Sequence, residues 1–416
     1  MRIGLEQKKI LDISKKLTNK NKKLNEHQIS ALNYFALWGD SLGFERIKCK
    51  IYGVQNFFNF CLKILKDIVA IAFLKNYKIL KNSKFNSKPF KKLIISRSII
   101  DDFDRRGNYK DRYFLINSNS EKDTLFILIN SGEKLPQKIA KNVIIIYQKG
   151  RSFELFFLLK YLLNKIISSN FSINQFFYKT SSSIVIGEVI IEFLKKEINY
   201  DRIKSILVPY EGQPYEHLIF EEARKNNKKL AIGGYDHSAP HSIPTHLMYR
   251  SYSPDILFVN GSSQVSFSKK FLEWPKRKIR LAPSLRYPKK SKLNFQNKVF
   301  LPYNIPNETV VIDEFKKIIL EEPNLNYRSL KIKNHPMMIN SKRHLILKSK
   351  LEKIIKENQK RNKNKNKKNI AIFIGATTGV IVALEKKIDV IHICFDSIFD
   401  SYSQTLWPNL RVKQIS

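Results

Sequence analysis

An α/β protein of two Rossmann-like units facing a cleft, behind a mostly helical N-terminal region, is the fold class this sequence predicts. Three observations lead there. Short apolar runs alternate with helix-length stretches over residues 91–285, and alternating strand and helix means a parallel sheet. The Pro-, Lys- and Ser-rich segment Arg286–Phe295 reads as a hinge. A second strand–helix series fills residues 296–416.

Residues 1–90 read as helical. Within them Phe57–Leu80, FFNFCLKILKDIVAIAFLKNYKIL, repeats apolar residues at helical spacing with lysines interleaved. Such a stripe can lie on a membrane surface, but it more often packs on its own domain. From Lys91 the expected strands are Lys92–Ser96, Thr124–Asn130, Val143–Tyr147 and Ser205–Pro209, with helices at Phe153–Ile167 and Ser183–Lys196. Lys229–Gly233 and Ile256–Asn260 extend the same sheet. In the second unit, strands Val299–Tyr303, Leu330–Lys333, Asn369–Ile374 and Val390–Cys394 alternate with helices Thr309–Glu321, Arg343–Glu357 and about Thr378 to Lys387. No solenoid repeat is present.

A chain of 416 residues, 43% of them hydrophobic, is large enough for two well-buried domains. Lys+Arg 75 against Asp+Glu 36 gives a net charge of +39. Such an excess suits nucleic acid or an anionic membrane surface. The bland alternative is an AT-rich genome that inflates Lys, Asn and Ile together, as in RNKNKNKKN at Arg361–Asn369. Scattered lysines, with no zinc finger, helix-turn-helix or RNP-like strand, argue against a specific nucleic-acid partner. Cys49, Cys61 and Cys394 lie far apart without metal-ligand spacing, which fits a reducing compartment. The N-terminus lacks a secretory core, and no apolar run approaches the ~18–20 residues of a membrane span. The expected location is cytoplasmic, in solution or peripheral on the inner face of the cytoplasmic membrane.

Four turns carry candidate chemistry. In SILVPYEGQPYEH, the strand Ser205–Pro209 ends on Glu211-Gly212, and Pro214 sits in the first turn of a helix. An acid at the carboxyl end of a parallel strand stands where open α/β sheets place their ligands. Glu211 can serve as a general base, or merely complement the dipole of the following helix. Gly234-Tyr235-Asp236-His237-Ser238 follows the next strand, and His237 is a rival base. His335-Pro336 ends a strand of the second unit; the proline biases His335 toward extended backbone, where the imidazole can donate to a phosphate or ribose oxygen. A satisfied surface histidine is the bland reading. Gly375-Ala376-Thr377-Thr378-Gly379 joins a strand to a helix start, whose free N–H groups and hydroxyls suit a phosphate, or simply cap the helix.

An acid-Gly turn in the first unit, then His-Pro, then a Ser/Thr pair in the second, resembles the signature of bacterial sialyltransferases and polysialyltransferases. The longer series YEGQPYEH, GYDHS, SPDILFVNG, HP, GATTG and LWP is similar to bacterial surface-carbohydrate biosynthesis proteins related to them. The resemblance covers residues 200–410. It implies a GT-B fold, with residues 91–285 as the acceptor-side unit and 296–416 as the nucleotide-sugar unit. It also implies Glu211 as base, His335 and Pro336 as CMP contacts, and Thr377 and Thr378 as the holders of the donor phosphate, in the turn bounded by Gly375 and Gly379. The chain departs from the pattern at Tyr210, where many members carry a first acid, and in having Thr-Thr where Ser is common.

The function implied is inverting, metal-independent transfer of a nonulosonic or ulosonic sugar from a CMP-activated donor to a glycan or lipid-linked acceptor, with no resident cofactor. The nearest DxD-like run, Asp101-Asp102-Phe103-Asp104, lies in the first unit, away from the expected donor pocket. Two alternatives stay open: a CDP-polyol phosphotransferase of the teichoic-acid type, in which His237 would be the base, and an inactive basic scaffold.

Overall fold

The computed structural model describes residues 8–13, 15–16, 48–49, 51–53, 57–73, 77–87, 89–130, 134–150, 153–168, 182–237, 244–282, 295–303, 305, 307–322, 325–326, 329–335, 338–358, 370–375, 377, 379–380, 383, 388–393 and 412–415. Pro336, Ala376, Thr378, the hinge before Phe295, the Lys/Asn run at 361–369 and Trp407-Pro408 lie outside the described residues.

Two sheets organise the chain. The first has eight strands in the order β1-β4-β3-β2-β5-β6-β7-β8. They are β1 (Tyr77–Lys81), β2 (Lys92–Ser98), β3 (Thr124–Asn130), β4 (Val143–Gln148), β5 (Ser205–Pro209), β6 (Ala231–Asp236), β7 (Ile256–Val259) and β8 (Ile279–Leu281). Every pairing is parallel except β1 against β4. The central strands are apolar along their length because both faces are covered; in β4 the first four residues are all buried. On one face, α3 (Ser182–Glu197) and α4 (Pro214–Asn226) contribute to the large core cluster with Leu93, Leu125, Ile144 and Ile206. On the other face no α-helix joins β2 to β3, only a 3₁₀ turn at Ile100–Asp102. There the irregular segment 99–123 supplies Tyr109 and Phe114, which pack on Ile94, Phe126 and Leu128.

The second sheet has five parallel strands in the order β10-β9-β11-β12-β13. These are β9 (Lys298–Phe300), β10 (Lys331–Lys333), β11 (Ile370–Ile374), β12 (Asp389–Ile393) and β13 (Val412–Ile415). All five residues of β11 are buried. The helices α6 (Glu308–Glu321) and α7 (Lys342–Asn358) pack here through Val311, Phe315, Leu347 and Leu351. Asn307 caps α6 by accepting from the Thr309 and Val310 N–H groups.

Apart from the antiparallel edge strand β1, both strand orders reverse direction once, between β2 and β5 and between β9 and β11. The carboxyl ends flanking such a reversal diverge and leave a crevice.

Several expectations need correction. The stripe Phe57–Leu80 is not one helix: α1 (Phe57–Ile71) ends in a turn, and Tyr77–Lys81 is the edge strand β1. Antiparallel pairing with β4 overrides the helical spacing, and the first sheet therefore begins before residue 90. The stripe also does not pack inward, since Phe57, Phe58, Leu62, Leu65 and Val69 are exposed. The strand expected at Lys229–Gly233 runs instead to Asp236 and brings Asp236-His237 to the sheet edge. Between β7 and β8, α5 (Ser262–Phe271) completes a crossover that the sequence reading passed over. α2 (Leu155–Ser168) and α3 lie where helices were expected. No described helix is long and apolar enough to cross a membrane.

Candidate active site at two strand-order reversals

Glu211 stands just beyond β5, at the reversal of the first sheet. Its carboxylate meets Arg97 from β2, with Nη2 3.4 Å from Oε2, and His237 from the end of β6, with Nε2 3.5 Å from Oε1. The Gln213 side-chain amide also donates to it. Burial alone would raise the Glu211 pKa; the Arg97 and His237 charges and the Gln213 hydrogen bond outweigh it and hold the group below its ordinary value.

The turn is built by a second carboxylate. Glu216, in the first turn of α4, accepts from the Gln213 N–H at 2.9 Å and the Glu211 N–H at 3.2 Å. This is half of a capping box, and it fixes the backbone that carries Glu211. Burial, then the Glu211 charge, push Glu216 up to about 8 despite those two donors. The two carboxyls are thus driven apart, one held ionised and the other protonated at neutral pH. Gly212 completes the turn at φ +67°, with its Cα packed so tightly that an added Cβ would lie 2.4 Å from the His246 carbonyl oxygen.

His246 comes from a short 3₁₀ turn, Thr245–Leu247, that no motif marks. Trp274 Nε1 donates to the Leu247 carbonyl at 2.7 Å and Arg250 to that of Thr245 at 3.2 Å, which anchors the turn. Burial pushes the His246 imidazole down to about 3, with Arg250 adding to the shift, so it is neutral at pH 7. Arg97 and Tyr113 were likewise missed. Tyr113 reaches in from segment 99–123 and meets the His237 ring edge-on, centroids 4.5 Å apart. Asp111 shapes that segment: it accepts from the Tyr113 and Phe114 N–H groups and from the Tyr109 hydroxyl.

Other motif residues serve the scaffold. Tyr210 is fully buried and its hydroxyl pairs with His217 Nε2 at 3.1 Å. Asp255 accepts from Arg224 and from the Ile232 N–H, tying α4 and β6 to β7. Asn260 receives the Tyr235 hydroxyl at 2.7 Å and donates to the Asp236 carbonyl, steadying the strand end before His237. The Asp101–Asp104 run directly follows β2, on the same sheet edge as Glu211. Two of its three carboxylates are engaged, however: Asp102 holds Arg112 in a two-point contact, and Asp104 closes its own turn with Arg106 and Asn108. Among the described residues no group of three or more His, Cys, Asp or Glu side chains could hold a metal ion.

In the second sheet the described candidate residues follow the carboxyl ends of β10 and β11, the two strands that flank β9. Tyr303 follows β9 and His335 follows β10, their rings meeting edge-on with centroids 5.5 Å apart. Beyond β11, Gly375 takes φ +66°, donates to the Ile393 carbonyl and accepts from His392 Nε2 at 2.8 Å. Thr377 Oγ1 accepts from the Gly379 N–H at 3.3 Å, the geometry of a helix cap. His344, which reading by motif ignored, pins the end of β9 by bonding the Pro302 carbonyl at 2.9 Å.

No protein-family model matches the chain, and no curated protein does. Among solved structures, the crystal structure of a glycosyltransferase from Rickettsia africae ESF-5 aligns over 78% of this chain and 84% of its own. The identity is 12% and the TM-score 0.33, a likeness too low to decide either fold or activity.

Proposed function

We propose that this protein is a glycosyltransferase of surface-polysaccharide assembly. It would transfer a nonulosonic or ulosonic sugar from a CMP-activated donor to a glycan or lipid-linked acceptor, with inversion and without a divalent ion. The observation that carries this reading is the ionised Glu211 at the strand-order reversal of the first sheet, in contact with Arg97 and His237. A carboxylate there can take the proton of an acceptor hydroxyl as it attacks the anomeric carbon. With 19% of its side chain exposed against 7% for His237, Glu211 is the more accessible acceptor. In this reading the donor lies along the second sheet's reversal. His335, the Thr377 hydroxyl and the helix start at Gly379 would receive the charge of the departing phosphate, which is the main electrostatic task of such a site.

The contact between Glu211 and His237 favours one second reading. A carboxylate beside an imidazole raises its basicity, so in a CDP-polyol phosphotransferase His237 would be the base and Glu211 its orienting partner.

Nucleotide preference tests the proposal. In thermal-shift titrations, CMP or CDP should stabilise the chain more than UDP or GDP, because ligand bound only to the folded state adds stability as the logarithm of one plus its concentration over its dissociation constant. Equal or greater stabilisation by UDP would remove the CMP-sugar reading.

A further inference from the structure

The helices α1 and α2 are built inside out. The one acid of α1, Asp67, is buried against Lys63 at 2.7 Å, whereas Phe57, Phe58, Leu62 and Leu65 face outward. In α2 the inner side binds Glu188 of α3 through Tyr161 and Lys165, while Phe156, Leu159, Leu163 and Ile167 are exposed. Phe156 is 86% exposed, an unusual state for a phenyl ring in water. The two helices adjoin: the Glu154 N–H donates to the Ala72 carbonyl, and the Phe73 and Phe153 rings meet edge-on. Ile71, Ala72 and Leu158 share one small buried cluster between them. Two apolar stripes therefore stand on neighbouring helices, and isolated stripes of this size on a soluble surface mark interaction sites.

Charge selects the occupant. Neither helix exposes an acid, and Lys66 on α1, Lys160 on α2, and Lys78 and Lys149 on the adjoining strand ends are exposed. The whole chain carries +39, so a second copy would be repelled where an anionic surface is attracted. We infer that the α1–α2 face docks on an anionic lipid bilayer, both helices lying in the interface with their apolar stripes among the acyl chains and the lysines at the headgroups. The inference does not depend on which reaction the site performs.

Co-sedimentation of the full chain with vesicles of equal parts phosphatidylcholine and phosphatidylglycerol, against pure phosphatidylcholine, tests it. Binding should need the anionic lipid and weaken as salt shortens the screening length to ~10 Å at 0.1 M. Phe156→Glu with Leu159→Glu should lower the bound-to-free ratio roughly tenfold or more, as should Phe58→Glu with Leu62→Glu, since each pair removes two inserted side chains. These positions are exposed, so circular dichroism should show an unchanged fold. Binding that survives both double variants would reduce the effect to scattered charge and overturn the proposal. So would equal binding to neutral vesicles, or a lipid-free dimer in size-exclusion chromatography that the variants dissociate.

Discussion

Replacing Gly212 by Ala tests how the candidate base is held. At φ +67° any L-residue pays the left-handed penalty, ~1–2 kcal/mol. The new Cβ would also fall 2.4 Å from the His246 oxygen and 2.8 Å from its carbonyl carbon. Neither neighbour can yield cheaply, because Trp274 and Arg250 anchor the 3₁₀ turn and Glu216 anchors the other side. Overpacking of this kind adds ~1–3 kcal/mol. Gly150 is the internal control: its φ is +73° and nothing lies within 4 Å of an added Cβ, so Gly150→Ala pays the backbone penalty alone. In urea denaturation, Gly212→Ala should therefore lose ~1–3 kcal/mol more than Gly150→Ala, at an unchanged slope. Equal losses would mean that the Glu211 turn is not packed against His246, and the described site geometry would fall with it.

Buried titratable groups in the same site predict a pH signature. With His246 near 3, the unfolded chain holds a proton that the native state lacks from there up to about 6.5; with Glu216 near 8, the native state holds one that the unfolded chain lacks from about 4.5 up to about 8. Between pH 4.5 and 6.5 the two slopes oppose each other. His246→Gln should make stability fall with rising pH there, and Glu216→Gln should make it rise, each by up to ~1.4 kcal/mol per pH unit. Parallel profiles for the two variants in chemical denaturation would refute the assignment. For the reaction, Glu211→Gln should lower turnover ~10²–10⁴-fold with little change in donor affinity, and His237→Ala should cost less. Near-normal turnover in Glu211→Gln beside a dead His237→Ala would instead make the histidine the base and favour the phosphotransferase.

Much of the architecture was legible because strand and helix signals are local. Thr124–Asn130 and Ser205–Pro209 show the continuous apolar run of a strand buried on both faces, and the structure keeps those bounds unchanged. Glu211 could be singled out for the same reason: its place at a strand end before a helix is visible in a dozen consecutive residues. Where a second signal competed, the reading failed. Tyr77–Lys81 carries apolar residues at spacings that a helix also satisfies, and only its pairing with β4 decides for a strand. Periodicity likewise marked the stripe of α1 without saying which face turns inward, because the inward face is chosen by the packing of Ile68 and Ile71 with residues of α2 and α3.

The sequence by itself determined the alternation of strands and helices that builds the two sheets and the identity of residues placed at strand ends. Strand order, which sets Arg97 beside Glu211 across the reversal of the first sheet and Tyr303 beside His335 across the β9–β10 pair, was decided only in three dimensions. Arg97 lies more than a hundred residues from its partner, and nothing in its own neighbourhood announces the contact. Periodicities of 2 and 3.6 report a segment's own faces, whereas the neighbours of a parallel strand are chosen by crossovers that no local pattern encodes.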